Sequence, residues 1–210
     1  MQEEEIMLNK IKLEISCVHC LQSSQKEIYP IINGVTDIKA KNSIMDEELF
    51  LYYCPHCGHY QKILYECVYY DPELKYILVL SQNSQKLLKK IELDLTDYEI
   101  RFVSDLKEMK EKIIIKEKDL DDRIIEIMKH DIRTSLTSKA SYDLVLENNN
   151  GLEFVLLYPD NEVIKTFTFS KEKYQEYKKQ FHDLLNETYN VDEMFAAKVI
   201  YNKHKLFDYH

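Results

Sequence analysis

In "KIKLEIS" the apolar side chains Ile11, Leu13 and Ile15 fall on every second position between polar ones. That period of two predicts a β-strand leading into the segment that follows. "QKEIYPII" predicts a second strand, residues 37–42 a short helix, and "ELFLYYC" a third strand. "YQKILYECVYY" and "LKYILVL" read as further strands joined by a turn at Asp71-Pro72-Glu73, where proline in second place presets φ. The β-rich pattern extends to "DYEIRFV", residues 97–103.

Beyond residue 103 the period changes. Ser104 stands where a helix N-cap belongs, ahead of "DLKEMKEKI". In "DLDDRIIEIMKHDI" the apolar residues Leu120, Ile124, Ile127, Met128 and Ile132 recur at the spacing of one helix face. "YDLVLENNNGLEFVLLYPDNEVIKTFTF" returns to strands, three of them, with turns expected at Asn150-Gly151 and at Pro159-Asp160-Asn161. Ser170 then caps a helix that aligns Tyr174, Tyr177, Phe181, Leu184 and Leu185, and residues 191–201 make a last helix. The expected fold class is α+β. A β-rich domain over residues 1–103 precedes an α+β domain over residues 104–210. The second domain holds helices at about 104–133, a three-stranded antiparallel meander at about 142–169 and helices at about 171–201.

Against this frame two Cys-x-x-Cys pairs stand out: Cys17-Val18-His19-Cys20 and Cys54-Pro55-His56-Cys57-Gly58. Each puts two thiols on one tight turn between two strands. Two such turns facing each other make a tetrahedral four-thiolate site with Zn–S of about 2.3 Å, the plan of a zinc ribbon. Pro55 suits the turn through its fixed φ, and Gly58 through its access to positive φ; the first pair has neither. Four thiolates close the coordination sphere, so the expected zinc is structural, held by Cys17, Cys20, Cys54 and Cys57. A redox role or paired disulfides are the competing readings, though neither pair opens a helix in a βαβ setting. His19, His56 and His59 either replace one sulfur or simply face solvent. Cys67, the fifth cysteine, reads as a buried strand residue.

Charge narrows the partners. The chain of 210 residues carries a net −9. Both parts share it: residues 1–97 hold ten Lys/Arg against fifteen Asp/Glu, net −5, and residues 98–210 hold eighteen against twenty-two, net −4. Phosphate binding draws on a lysine and arginine surplus, so nucleic acid is disfavoured as the default partner. No apolar run reaches the ~20 residues of a membrane span. The opening "MQEEEIMLNK" is acidic, the reverse of a secretory leader. The expectation is a cytoplasmic protein.

The segments "CVHC", "CPHCGH", "YYDPELKYIL" and "RFVSDLKEMKEKIIIKEKDLDDRIIEIMKHD" together resemble the CpXC domain family, named for two Cys-Pro-x-Cys motifs. The family has a similar Tyr-Asp-Pro turn after the second knuckle. A Glu-Lys-Ile … Leu-Asp-Asp … Ile-Glu-x-x-Lys segment follows its ribbon. The likeness covers roughly residues 10–133, and departs at Val18, where the family has Pro, and at Leu21, where Gly is usual. It implies a bacterial or archaeal protein with metal-binding cysteines, and supplies no catalytic residues.

One further constellation lies outside the thiols. Asp122, Glu126 and His130 stand at i, i+4 and i+8 on the helix around residues 119–133. The strip reads as the solvated polar face that an amphipathic helix requires, with Asp121 and Asp122 complementing the helix dipole, or else as a second metal or acid–base site. The sequence thus points to a zinc-ribbon interaction or adaptor protein with a protein partner. An enzyme using the carboxylate and histidine strip is the alternative, and a nucleic-acid-binding regulator a second one. The chain shows no Gly-rich phosphate loop, Gly-x-Ser-x-Gly elbow or His-Glu-x-x-His helix.

Overall fold

The computed structural model describes residues 10–89, 94–136, 143–147, 151–158 and 161–207. The fold is α+β. Its contacts divide the chain into two compact units, Met1–Lys110 and Glu111–His210.

In the first unit β1 (Ile11–Ser16) and β2 (Ser23–Ile28) form an antiparallel hairpin that closes with Ser16 opposite Ser23. A second, shorter hairpin pairs β4 (Leu51–Tyr53) with β5 (Tyr60–Lys62), closing at Tyr53 opposite Tyr60. The cysteine pairs occupy the two hairpin ends, as the pattern predicts. Between the hairpins lie β3 (Ile31–Asn33) and α1 (Ile38–Met45). After them come β6 (Cys67–Asp71), β7 (Tyr76–Leu80), the short α2 (Ser84–Leu88) and β8 (Glu99–Val103).

Two predicted strands are split. "QKEIYPII" breaks at Pro30, which has no amide to continue a ladder, and its halves join different sheets as β2 and β3. "YQKILYECVYY" likewise divides into β5 and β6. The expected hairpin after the second knuckle exists, but inside a four-stranded mixed sheet ordered β3-β6-β7-β8, with β3 parallel to β6 and β8 parallel to β7. All residues of β6 and β7 are buried, which explains why those segments are apolar nearly throughout rather than alternating. Asp71 ends β6 by accepting the amides of Glu73 and Leu74, closing the turn that Pro72 starts. At Gly34 a Cβ would collide with the ring and hydroxyl of buried Tyr69.

Helix α3 (Leu106–Glu117) spans the division between the units. Asp105, not Ser104, accepts the amide of Glu108, and the Glu108 carboxylate reaches back to the amide and hydroxyl of Ser104. The expected cap is therefore displaced by one residue, to Asp105, while the Glu108 carboxylate holds the residue before it. In the second unit α4 (Asp122–Ser135) precedes β9 (Asp143–Leu146), β10 (Leu152–Leu157) and β11 (Val163–Phe169). The strands form the predicted antiparallel meander, ordered β11-β10-β9. Asn150, Pro159 and Asp160, on which the turn expectations rest, lie outside the described residues. Helix α5 (Lys171–Phe181) is capped by Ser170 and buries Tyr174 and Phe181; Leu184 falls in the 3-10 turn that follows. Helix α6 (Glu193–Phe207) begins two residues later than predicted and runs further.

Candidate metal centre

The two knuckles are the same turn made twice. In the first, the amide of Leu21 donates to the carbonyl of Cys17 at 2.9 Å, and that of Cys17 to the carbonyl of Gln22 at 3.0 Å. In the second, Gly58 donates to Cys54 at 2.9 Å and Cys54 to His59 at 2.8 Å. The pivot of each turn is left-handed, with φ of +72° at Gly58 and +60° at Leu21. Glycine occupies that region freely, whereas leucine crowds its Cβ against the next carbonyl. The first knuckle thus reaches the geometry of the second in spite of its side chain. Leu21 projects that side chain into solvent.

This repeated turn brings all four sulfurs within 4.8 Å of one another. Cys17 Sγ lies 3.7 Å from Cys57 Sγ, and Cys20 Sγ 3.6 Å from Cys54 Sγ. Four sulfurs around an ion at a Zn–S of about 2.3 Å stand about 3.8 Å apart. A disulfide requires about 2.05 Å, and all five cysteines are free thiols, so the paired-disulfide reading does not describe this arrangement. Backbone amides converge on the sulfurs as well. His19 donates to Cys17 Sγ at 3.4 Å, Gln22 to Cys20, His56 and Cys57 to Cys54, and His59 to Cys57.

The electrostatics of the cluster suit a shared cation. Burial works against the Cys54 thiolate, yet the amides of His56 and Cys57 and the neighbouring thiols bring its pKa down to about 6. Cys57 gains from the amide of His59, but burial and the three other sulfurs push it up to about 12. One negative charge is welcome in this pocket and four are not, unless a cation shares them. Among the described residues these four cysteines are the group positioned to hold a metal ion.

Packing holds the two hairpins in place. Ile15, Cys17, Tyr52 and Cys54 form a small core, with Cys20 and Ile63 packed against it. Tyr52 shares a hydrogen bond with the Ser24 hydroxyl, and Lys26 donates to the Leu51 carbonyl. Gln61 contributes most directly. From β5 its side-chain oxygen accepts the amide of Val18 at 2.9 Å, and its nitrogen donates to the carbonyl of Ser16 at 3.2 Å. It therefore ties the second hairpin to the backbone of the first knuckle. Sequence reasoning passed over Gln61. Its signal is alternation: Tyr60 and Lys62 face outward, which turns Gln61 inward beside the metal turn.

The histidines do not enter the cluster. His19 and His59 stack on each other with ring centroids 5.3 Å apart, and His56 is exposed. Cys67 is fully buried in β6, and burial pushes its thiol up to about 12.

The Asp122, Glu126 and His130 strip departs from the solvated face expected of it. Asp122 and Glu126 are buried, at 3% and 6% exposure. Asp122 accepts from Lys112 Nζ at 2.8 Å, and the same ammonium donates to the Val191 carbonyl. Lys129 lies 3.0 Å from Glu126 and 2.8 Å from Glu111, whose other oxygen accepts the Leu146 amide. Arg133 completes the set, 2.7 Å from Glu126. Three carboxylates thus meet three cations inside the second unit. The Nδ1 of His130 is buried without a partner among the described residues. Asp121 caps α4 by accepting the amide of Arg123. The polar side of α4 is covered because α3, α5 and α6 supply charges and contacts to it, which one helix's periodicity does not reveal. With both carboxylates engaged by lysine and arginine, the strip is a neutral internal brace.

A family model described as CpXC protein matches residues 15–129, from the strand entering the first knuckle to Lys129 of the internal brace. The chain belongs to the CpXC protein family. The match spans the four cysteines, Gln61, Asp71 and the charged residues Glu111, Lys112, Asp122, Glu126 and Lys129. The family segments Glu-Lys-Ile, Leu-Asp-Asp and Ile-Glu-x-x-Lys therefore supply five of the six residues of the buried ion-pair set, Arg133 being the sixth. No curated protein and no solved structure matched the chain.

Proposed function

We propose that this CpXC protein binds one structural zinc ion through Cys17, Cys20, Cys54 and Cys57, and uses the ribbon so formed to dock a protein partner in the cytosol. The observation that carries the metal reading is the tetrahedral spacing of the sulfurs, 3.6 and 3.7 Å across the knuckles. An all-thiolate set favours zinc over the hard cations and leaves no position for a catalytic water. Thiols held this way need a reducing compartment, which supports the cytosolic placement. No helix among the described residues is long and apolar enough to cross a membrane. The docking role is supported by what the ribbon leaves in solvent. Val18 and Leu21 on the first knuckle, and the cross-strand pair Tyr53 and Tyr60 beside the second, are all exposed.

Elemental analysis of the native protein tests the metal: one zinc per chain is expected, and none after Cys54→Ser. Partner capture tests the role, with Val18→Asp and Tyr60→Asp as variants that keep the zinc. Loss of capture with full zinc loading supports docking through the ribbon; unchanged capture places the partner elsewhere.

A further inference from the structure

In the second unit the β9–β10–β11 meander ends, among the described residues, in an unpaired edge at β11. Strand β11 is the longest described strand, seven residues reading Val-Ile-Lys-Thr-Phe-Thr-Phe. Among the described residues it pairs with β10 alone. Val163, Ile164, Lys165, Thr166 and Thr168 are exposed, and the strand holds no proline and a single charge. Natural edges are ordinarily short, charged or interrupted. Here the one interruption is the register shift beside Val163.

The direction of the backbone groups follows from the pairing. Glu147 donates to the carbonyl of Glu153, so Glu153 turns its peptide groups toward β9. Alternation along β10 then aims Leu152, Phe154 and Leu156 at β11, where they face Phe169, Phe167 and Lys165. Thr166 and Thr168 consequently present N–H and C=O away from β10, into solvent.

We infer that β11 is a self-association edge: two copies of this chain pair antiparallel about a two-fold axis through Thr166, fusing two three-stranded sheets into one of six strands. Thr166 is the midpoint of the strand, so this axis alone lets every residue from Val163 to Phe169 find an opposite number. Val163 meets Phe169 of the second copy, Ile164 meets Thr168, and Lys165 meets Phe167. Thr166 then exchanges both its peptide hydrogen bonds with its own counterpart. Charge agrees with this register. The Lys165 ammonium already lies over the Phe167 ring of its own strand, 4.8 Å from the centroid, and in the pair it meets that ring of the second copy. An axis through Lys165 would oppose two ammonium groups, and one through Phe167 would leave Val163 and Ile164 unmatched. A strand complementary to itself selects a second copy over an unrelated peptide.

Sedimentation equilibrium on the full chain tests this. The wild type is expected as a dimer at micromolar concentration. Thr166→Lys and Thr166→Glu each place like charges on the axis and should weaken self-association at least about tenfold. Mixing the two variants pairs opposite charges and should restore the dimer. Thr166 is exposed and its amide serves no β10 bond, so thermal unfolding at concentrations where the wild type is monomeric should be unchanged. Thr166→Pro, which removes that outward amide and no β10 bond, is the second route to a monomer. A wild type monomeric through about 100 μM, dimers that survive both charge variants, or a mixture that stays monomeric would each overturn the assignment.

Discussion

The ribbon and the α3–α4 brace bury polar chemistry in opposite ways. In the brace, Glu111, Asp122 and Glu126 are answered by Lys112, Lys129 and Arg133, so the charge is balanced within the chain. In the ribbon, four sulfurs converge within 4.8 Å, an arrangement that a shared cation would balance. One region is closed by its own sequence. The other is a set of ligands that could hold a metal ion.

The sharpest test of that difference is metal removal. A structural zinc contributes an apparent ~10–16 kcal/mol, comparable to the whole stability of a domain at ~5–15 kcal/mol. Chelation, or Cys54→Ser, should abolish the dispersed amide NMR signals of the two hairpins while those of α4, α5 and α6 persist. Loss of both sets together would end the contrast between the regions. Next in size is Lys129→Met, which takes the cation from buried Glu111 and leaves Glu126 with Arg133 alone. Breaking a buried pair from one side costs about 3–5 kcal/mol, so the melting temperature should fall by more than about 10 °C with zinc content unaltered.

Acid should act on the brace with a definite sign. Burial opposes the Glu126 carboxylate, but Lys129 and Arg133 beside it hold its pKa below the ordinary 4.5. A carboxyl whose pKa is lower in the folded state stabilises that state above the unfolded value and loses the contribution as pH falls through the folded one. Unfolding monitored in α4 should therefore become easier as pH drops below about 4.5, and Glu126→Gln should flatten that dependence.

Smaller effects separate the knuckles from each other. Gln61→Ala removes the bridge between β5 and the first knuckle and should weaken zinc affinity by about tenfold, the scale of a group that orients ligands. Competition with a chromophoric chelator reads this directly. Leu21→Gly relieves the left-handed leucine and should raise stability of the zinc-loaded protein by a few tenths to about 1 kcal/mol. A loss instead would mean that the exposed Leu21 side chain is held by contacts worth more than its backbone strain.

The sequence by itself determined the parts whose chemistry is local. Alternation from Ile11 to Ile15, the Cys-x-x-Cys spacing and the apolar stripe of α4 each bias φ/ψ or side-chain direction within a few residues, so knuckles, meander strands and helices were legible. Only the tertiary structure decided matters that depend on distant segments meeting. Parallel pairing of β3 with β6 joins residues more than thirty apart. Gln61 matters because it reaches Ser16 and Val18, and the polar side of α4 is interior because Lys112 and Glu111 lie against it. A period along one chain reports which side of an element is apolar; it carries no information about what another element brings to the opposite side.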